Sequence, residues 1–494
     1  MMRHVLAFDF GGSSGRAVLA HFDGSAIQLE EIHRFDNEPV MVQGHLYWDV
    51  LRLFHELKTG LARASHICEI ECIGIDTWGV DYGLLDSSGW LMGNPFHYRD
   101  LKNNGYASKS AAVMDAETLY AETGTQIMDI NTLFQLMSIY DAQPQMMKRA
   151  ELLLPMPDLL AYFLTDVKTC ERSIASTTAL MNVRHGTWSE KVTDAFSIPK
   201  KLLPPIVESG TLKGMLSPSV CSELELPPIP VAAVCGHDTQ CAALAVPSRP
   251  GQDVIFISCG TWSLFGTELD EPVLTQESAR LGLSNEVGYG GKITYLKNII
   301  GLWLIQETRR YLHSCGEAYT YAELEELALN AEPLQYFIDP DDPVFTPPGN
   351  IPQRVQDYCI RTGQGKPDSL GEIVRCIYES LALKYRMALE EIRTCTGKKF
   401  SAIHMVGGGT KDRLLCQMTA DVCGLPVYAG PKEATVYGNA ALQLMALGAI
   451  VSCDYAKNVI AASEPVKQYS PREDWFDAYT RFQAILNRSQ TESE

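Results

Sequence analysis

An aspartate that follows glycine and histidine at the end of an apolar run is a candidate general base. Residues 230–235 read PVAAVC and lead straight into Gly236-His237-Asp238-Thr239. A carboxylate held where a strand ends can take the proton of a substrate hydroxyl as that oxygen attacks phosphorus. In α/β folds, ligand sites gather at such strand ends. Capping the next helix is the other job open to an Asp after a Gly turn. His237 reads as a hydrogen-bonding neighbour of the base, since no second histidine is spaced to share a metal with it.

Two further groups could handle phosphate. Residues 5–20 read VLAFDFGGSSGRAVLA and residues 254–269 read VIFISCGTWSLFGTEL, one pattern repeated half a chain apart. Each is an apolar strand, a break of Gly and small hydroxyl residues, and a second apolar run. Gly lets backbone N–H groups approach an anion, and Ser and Thr hydroxyls add donors. The first break carries Gly12, Ser13, Ser14, Gly15 and Arg16; the second carries Gly260, Thr261 and Ser263. Neither has the GK[ST] of a Walker loop, and the resumed alternation predicts hairpins. Asp9, at the tip of the first strand, is a candidate Mg²⁺ ligand or a turn-stabilising residue. Asp76-Thr77-Trp78-Gly79-Val80-Asp81 joins carboxylates to an aromatic face, as a sugar site requires, or is a Trp-capped core strand. Gly407-Gly408-Gly409-Thr410 is a tight turn that would let a flat ring lie against bare backbone.

The elements that must position these residues alternate between strand and helix. Strands are predicted over 5–10, 16–22 and 27–35, then a helix over 48–63 with Val50, Phe54, Leu57 and Leu61 on one stripe. An apolar run follows at 70–75, then a mostly helical region to about 200, with a helix starting at Pro157-Asp158. Pro247 to Gly251 is the best linker, placing domain boundaries at 1–246 and 247–494. In the second half a Pro-rich surface loop is predicted over 339–352. A long helix follows over 371–395, bearing Val374, Ile377, Leu381, Tyr385, Ala388 and Ile392 and stopped by Gly397. A strand over 403–406 leads to the triple glycine, a helix closed by Gly424 follows, and the tail after Asn487 is expected to fray. The repeat and the mixture of elements predict an α/β architecture of two lobes with a cleft between them.

Composition narrows the function classes. At 494 residues the chain is too long for one core. A net charge of −19 argues against nucleic acid and anionic membrane as partners. No run approaches a membrane span and the first strand leaves no room for a signal peptide, so a cytoplasmic enzyme is expected. Fourteen Cys without a CxxC fit reduced, mostly buried thiols. A Cys359–Cys376 pair is open if the loop between them folds back.

Taken in order, DFGGSSGR, IDTWGVD, GHDT, SCGTWS and VGGGTKD resemble the FGGY carbohydrate kinases of the actin-like ATPase superfamily, over almost the whole chain. Tyr98-Arg99-Asp100, residues 131–136 (NTLFQL), residues 154–158 (LPMPD) and residues 296–303 (LKNIIGLW) extend the resemblance. It implies two ribonuclease H-like domains with an interlobe cleft, sugar on the N-terminal one and nucleotide on the C-terminal one. It implies ATP and Mg²⁺ as cofactors and a small ketose as the other partner, phosphorylated at a hydroxyl. L-rhamnulose at its 1-hydroxyl is the first expectation, with L-fuculose or a pentulose as alternatives. A non-catalytic ATP switch or a sugar-binding regulator is the alternative of another class. By the resemblance Asp238 is the catalytic base, and Gly12, Ser13, Ser14, Gly15, Arg16 and Thr261 hold phosphate. Gln306 and Gly408 touch nucleotide, Gly79, His237, Thr239 and Asn298 touch sugar, and Asp9 lies near the metal. The chain departs from the pattern mildly, at Gly12, Cys259 and Gly236, where backbone donors are kept.

Overall fold

In the computed structural model, residues 2–249 and 251–491 are described. Two compact units form. The first takes Met1–Pro247, Glu268–Tyr295 and Ala434–Glu464; the second takes Ser248–Thr267, Leu296–Glu433 and Pro465–Glu494. The chain passes from one to the other within the expected linker, of which Pro250 lies outside the described residues. The first unit additionally takes up two later segments.

The first unit is built on strand Arg3–Phe10. Its residues Val5 to Phe8 are buried without alternation, the mark of a strand covered on both faces. It pairs antiparallel with Ser14–Phe22, which pairs antiparallel with Ile27–Asp36. On its other side it pairs parallel with Cys72–Thr77, then come Pro230–Ala233 in parallel and Thr211–Met215 in antiparallel. Helix Val50–Ser65 covers one face with the buried stripe Leu53, Leu57, Leu61 and Ala64, and Asp49 caps it by accepting from the Arg52 N–H. Gly60 lets it come close: a Cβ there would meet the Phe8 ring at 2.9 Å. Burial of each such leucine contributes about 1.5–3 kcal/mol. Helix Ala434–Ala446 is packed on the same sheet, with Val436 against Ala7 and Val18.

The second unit repeats this succession. Strand Ile255–Cys259 pairs antiparallel with Trp262–Leu269 and parallel with Ile403–Val406. Val427–Ala429 follows in parallel and Lys467–Tyr469 in antiparallel. Each glycine-rich pattern is therefore a hairpin turn at the same place in a ribonuclease H-like sheet. Helix Leu370–Thr396 buries all six residues of its expected stripe. It starts in a capping box between Ser369 and Glu372 and stops at left-handed Gly397.

Two expectations are corrected, and the expectation of reduced thiols agrees with the structure. The stretch 339–352 is not all surface loop: Pro343–Phe345 forms a helical turn with Phe345 buried, and helix Ile351–Arg361 begins inside it. The tail does not fray at Asn487, because helix Phe476–Thr491 continues through it and Ser489 is buried; residues 492–494 lie outside the described residues. Cys359 and Cys376 are free thiols, as are the other cysteines. No described helix is long and apolar enough to cross a membrane.

Candidate active site

Strand register assembles a row of charged side chains at one end of the first sheet. Asp9 stands opposite Arg16 in the antiparallel pair and opposite Asp76 in the parallel pair. Residues in register on neighbouring strands share a face, so the sequence Arg16–Asp9–Asp76 runs across three strands. A bridge between Thr77 and His237 brings the next segment alongside, and helix Asp238–Leu244 starts there. Asp238 is the first residue of that helix and His237 occupies the capping position, so capping is not what Asp238 does.

The charges in this row are unevenly paired. Arg16 donates from Nε (2.9 Å) and from its terminal guanidinium nitrogen (2.7 Å) to Asp9 Oδ2. Asp76 is fully buried and accepts one bond at Oδ2 from Asn439 Nδ2 (2.6 Å), while no donor reaches its Oδ1. Burial and the neighbouring Asp9 push its carboxyl well above the usual range, against the pull of Asn439. Gln443, one helical turn on from Asn439, donates to Asn439 Oδ1 (2.7 Å) and to the Leu6 carbonyl (3.1 Å). Gly74 makes room for this pair, since a Cβ there would meet Gln443 at 2.8 Å and overlap Asn439.

Asp238 keeps 30% of its side chain open. Its surroundings raise the carboxyl to about 6: burial raises it most, His237 lowers it and Asp9 raises it. Thr239 Oγ1 donates to Asp238 Oδ1 (3.1 Å) and His237 Nε2 lies 3.6 Å from the same oxygen. His237 Nδ1 meets Glu286 Oε2 at 2.8 Å, and Gln240 Nε2 donates to that oxygen at 2.9 Å. Thr294 Oγ1 donates to Gln240 in turn (2.5 Å). Burial is the largest influence and opposes charge on the ring, but Glu286, Asp238 and Glu171 together outweigh it and push His237 up to about 9. Glu171 holds the loop by accepting from the Gly236 N–H (2.8 Å) and from Ser173 and Ser209. Near neutral pH the arrangement is thus a carboxylate beside an imidazolium that a second carboxylate sustains.

The remaining sites on the first unit differ in kind. Gly12 and Ser13 are exposed at the hairpin tip, braced by Asn37, whose Nδ2 donates to the Gly11 carbonyl (2.8 Å) and whose N–H donates to that of Ser13 (3.1 Å). Ser14 accepts from the Gly11 N–H (2.9 Å), and Gly15 packs under Phe35, where a Cβ would overlap the ring. Gly79 faces Thr177. Of the two readings of Trp78 and Asp81, the hydrogen bonds favour the core strand. Asp81 is buried and already accepts from Trp48 (2.6 Å), Trp78 (2.9 Å), Gln135 (2.9 Å) and the Tyr98 N–H (3.2 Å). It is the hub of a buried hydrogen-bond network.

On the second unit, Thr261 Oγ1 donates to Gln306 Oε1 (3.1 Å), joining two expected nucleotide contacts. Their hairpin is knitted to the start of helix Trp303–Ser314, since Leu302 N–H donates to Gly260 (3.0 Å) and Trp303 N–H to Thr261 (3.2 Å). Gly301 sits where a Cβ would fall 2.7 Å from the Ser263 nitrogen. Gly409 packs on Cys259 of the same hairpin, which leaves the neighbouring Gly408 exposed with open space at its Cβ position. Asn298 is half-buried on strand Ile293–Ile300.

Motif reading placed Asp76 in a possible sugar site and not beside Asp9, and it missed Glu286, Asn439, Gln240 and Glu171 altogether. Asp76 needed the strand register; Glu286 and Asn439 arrive from segments far along the chain and carry no local signal. The donor set of Asp9, Asp76 and Asp238 is all oxygen, with one buried Oδ1 lacking a donor, which fits a hard cation such as Mg²⁺.

The N-terminal domain of the FGGY family of carbohydrate kinases matches residues 4–245, and its C-terminal domain matches residues 255–447. A rhamnulokinase of Bacteroides thetaiotaomicron is 39% identical over 485 residues, covering 98% of this chain and 99% of its own. A rhamnulokinase of Enterococcus faecalis is 39% identical over 491 residues, covering 99% and 98%. Among solved structures, xylulose kinase from Rhodospirillum rubrum superimposes with a TM-score of 0.79 at 17% identity, over 99% of each chain, a likeness of fold.

Proposed function

This chain belongs to the FGGY family of carbohydrate kinases, and on that premise we propose that it transfers the γ-phosphoryl group of ATP to the 1-hydroxyl of L-rhamnulose. Its activity is that of an ATP-dependent sugar kinase, with L-rhamnulose as substrate in line with relatives 39% identical over nearly the full chain. The observation that carries the chemistry is Asp238 at the head of its helix beside the His237–Glu286 pair.

Asp238, ionised above about 6, accepts the proton of the attacking hydroxyl. The His237 cation keeps that carboxylate ionised at neutral pH and, with Gly79, Thr239 and Asn298, orients the sugar. Gly12 to Arg16 and Thr261 bind phosphate; Gln306 and Gly408 bind the nucleotide. Asp9, steadied by Arg16, is the residue for Mg²⁺, with the Asp76 oxygen behind it. Bound Mg²⁺ would offset charge on the phosphates. Positioning and electrostatics supply most of the rate in such transfers. We assign the two family domains to 1–246 and 247–494, and place the reaction in the cytoplasm, which suits a chain of free thiols.

The test is the site of phosphorylation. With L-rhamnulose labelled by ¹³C at C1, the product should show carbon–phosphorus coupling at C1. Phosphate on another carbon, or no sugar phosphate, would refute the reading.

A further inference from the structure

The opposite end of the first sheet carries a second group of ligating atoms that phosphoryl transfer does not use. His4 and His21 are register partners on the first two strands, and their Nδ1 atoms face each other at 2.7 Å. Cys68, on the turn after helix Val50–Ser65, completes the group: one ligand atom from each of the three lies within 4.8 Å of the others. All three residues are half-buried. Asp9 is five residues along the strand from His4, roughly 16 Å away at strand spacing.

The surroundings hold these atoms in place. His4 is fixed through its backbone, which donates to Glu71 Oε1 (3.2 Å) and accepts from the Glu71 N–H (2.9 Å). His21 turns its other ring nitrogen, Nε2, to Glu30 Oε2 (3.3 Å). A metal-bound imidazole commonly gives its second N–H to a carboxylate, which fixes the tautomer and leaves the other nitrogen bare. With Nε2–H on Glu30, the Nδ1 lone pair of His21 points into the cluster. Two imidazoles facing through Nδ1 share one proton; a cation between them would replace it.

We propose that His4 Nδ1, His21 Nδ1 and Cys68 Sγ form a binding site for Zn²⁺, with Glu30 positioning the His21 ring and water as fourth ligand. Two nitrogens and a sulfur suit a borderline-soft cation and not Mg²⁺. Tetrahedral bonds of about 2.0–2.1 Å need the ring nitrogens about 3.3 Å apart, so the rings part by roughly half an ångström on binding. The Cys68 thiol loses its proton to solvent as the sulfur–zinc bond forms; burial and Glu30 hold it above its ordinary value beforehand. The bound ion would tie two strands to the turn after a helix, as a structural clamp.

The test uses the full chain under a phosphine reductant, with Co²⁺ as spectroscopic probe and Zn²⁺ as competitor. One Co²⁺ per chain should bind with a thiolate-to-cobalt charge-transfer band, and Zn²⁺ should abolish the band. Cys68→Ser should lose the band while keeping sugar-kinase turnover within about twofold. Glu30→Gln should weaken zinc about 10–100-fold, the usual cost of removing such a carboxylate. Asp9→Asn should bind cobalt as the parent does. Should Cys68→Ser fail to fold, His4→Gln with the thiol intact serves instead, and should bind at least tenfold more weakly. No band in the parent, or an unchanged band in Cys68→Ser, overturns the proposal.

Discussion

Asp238 titrates near 6 and His237 near 9, so between those values a carboxylate stands beside an imidazolium. Replacing the base by Asp238→Asn should lower kcat about 10²–10⁴-fold, while ATP affinity by calorimetry stays within a few fold. The pH profile follows from the same residues. Activity should fall as pH drops through about 6, where Asp238 takes up a proton. His237 lowers the Asp238 value, so His237→Asn should move this acid limb to higher pH; an unmoved limb would remove His237 from the account. The His237–Glu286 pair also bears on stability. Because the folded value of His237 lies above its unfolded one, its contribution is complete below about 6.5 and is lost as pH rises through about 9. Denaturant midpoints should therefore decline over that window in the parent and less in Glu286→Gln. Asp238 and His237 were legible because they adjoin one another and a strand end. Their partners were not: Glu286 lies 49 residues away, and Asp76 joins Asp9 only through register.

Elements meet at glycines, and these separate packing from ligand roles. Gly438 lets helix Ala434–Ala446 lie against helix Asp238–Leu244, since a Cβ there would overlap the Cys241 carbonyl. Gly438→Ala should cost about 1–3 kcal/mol in urea unfolding, the range for overpacking, and lower turnover by displacing the helix that bears Asp238. Gly408 and Gly12 have nothing within 4 Å of a Cβ. Gly408→Ala should leave unfolding unchanged and raise KM for ATP; a loss of stability with KM unchanged would make Gly408 a packing residue. Periodicity placed the long elements well, because helix Leu370–Thr396 and strand Arg3–Phe10 carry unbroken apolar patterns with clear stops. It failed where tertiary contact overrides composition. Phe345 anchors a Pro-rich stretch that reads as loop; for the motif around Asp81, open between sugar site and core strand, four donors on the buried carboxylate favour the core.

For the whole molecule, the repeated hairpin foretold two related sheets, and their strand pairings repeat in the same succession. The return of residues 268–295 and 434–464 to the first unit was not legible, since nothing local marks a segment as belonging to a distant sheet. Residues 1–247 alone would lack Glu286, Asn439 and the Val436 contact with Ala7 and Val18. That fragment should fail to give a cooperative unfolding transition. The central claim, ATP-dependent phosphorylation of L-rhamnulose, is tested most directly by ADP release from Mg-ATP with L-rhamnulose, L-fuculose, L-xylulose, D-xylulose, L-ribulose or no sugar. The expected result is turnover that depends on sugar, with the highest kcat/KM for L-rhamnulose. A higher kcat/KM for another ketose would contradict the substrate, and ADP release indifferent to sugar would contradict the kinase.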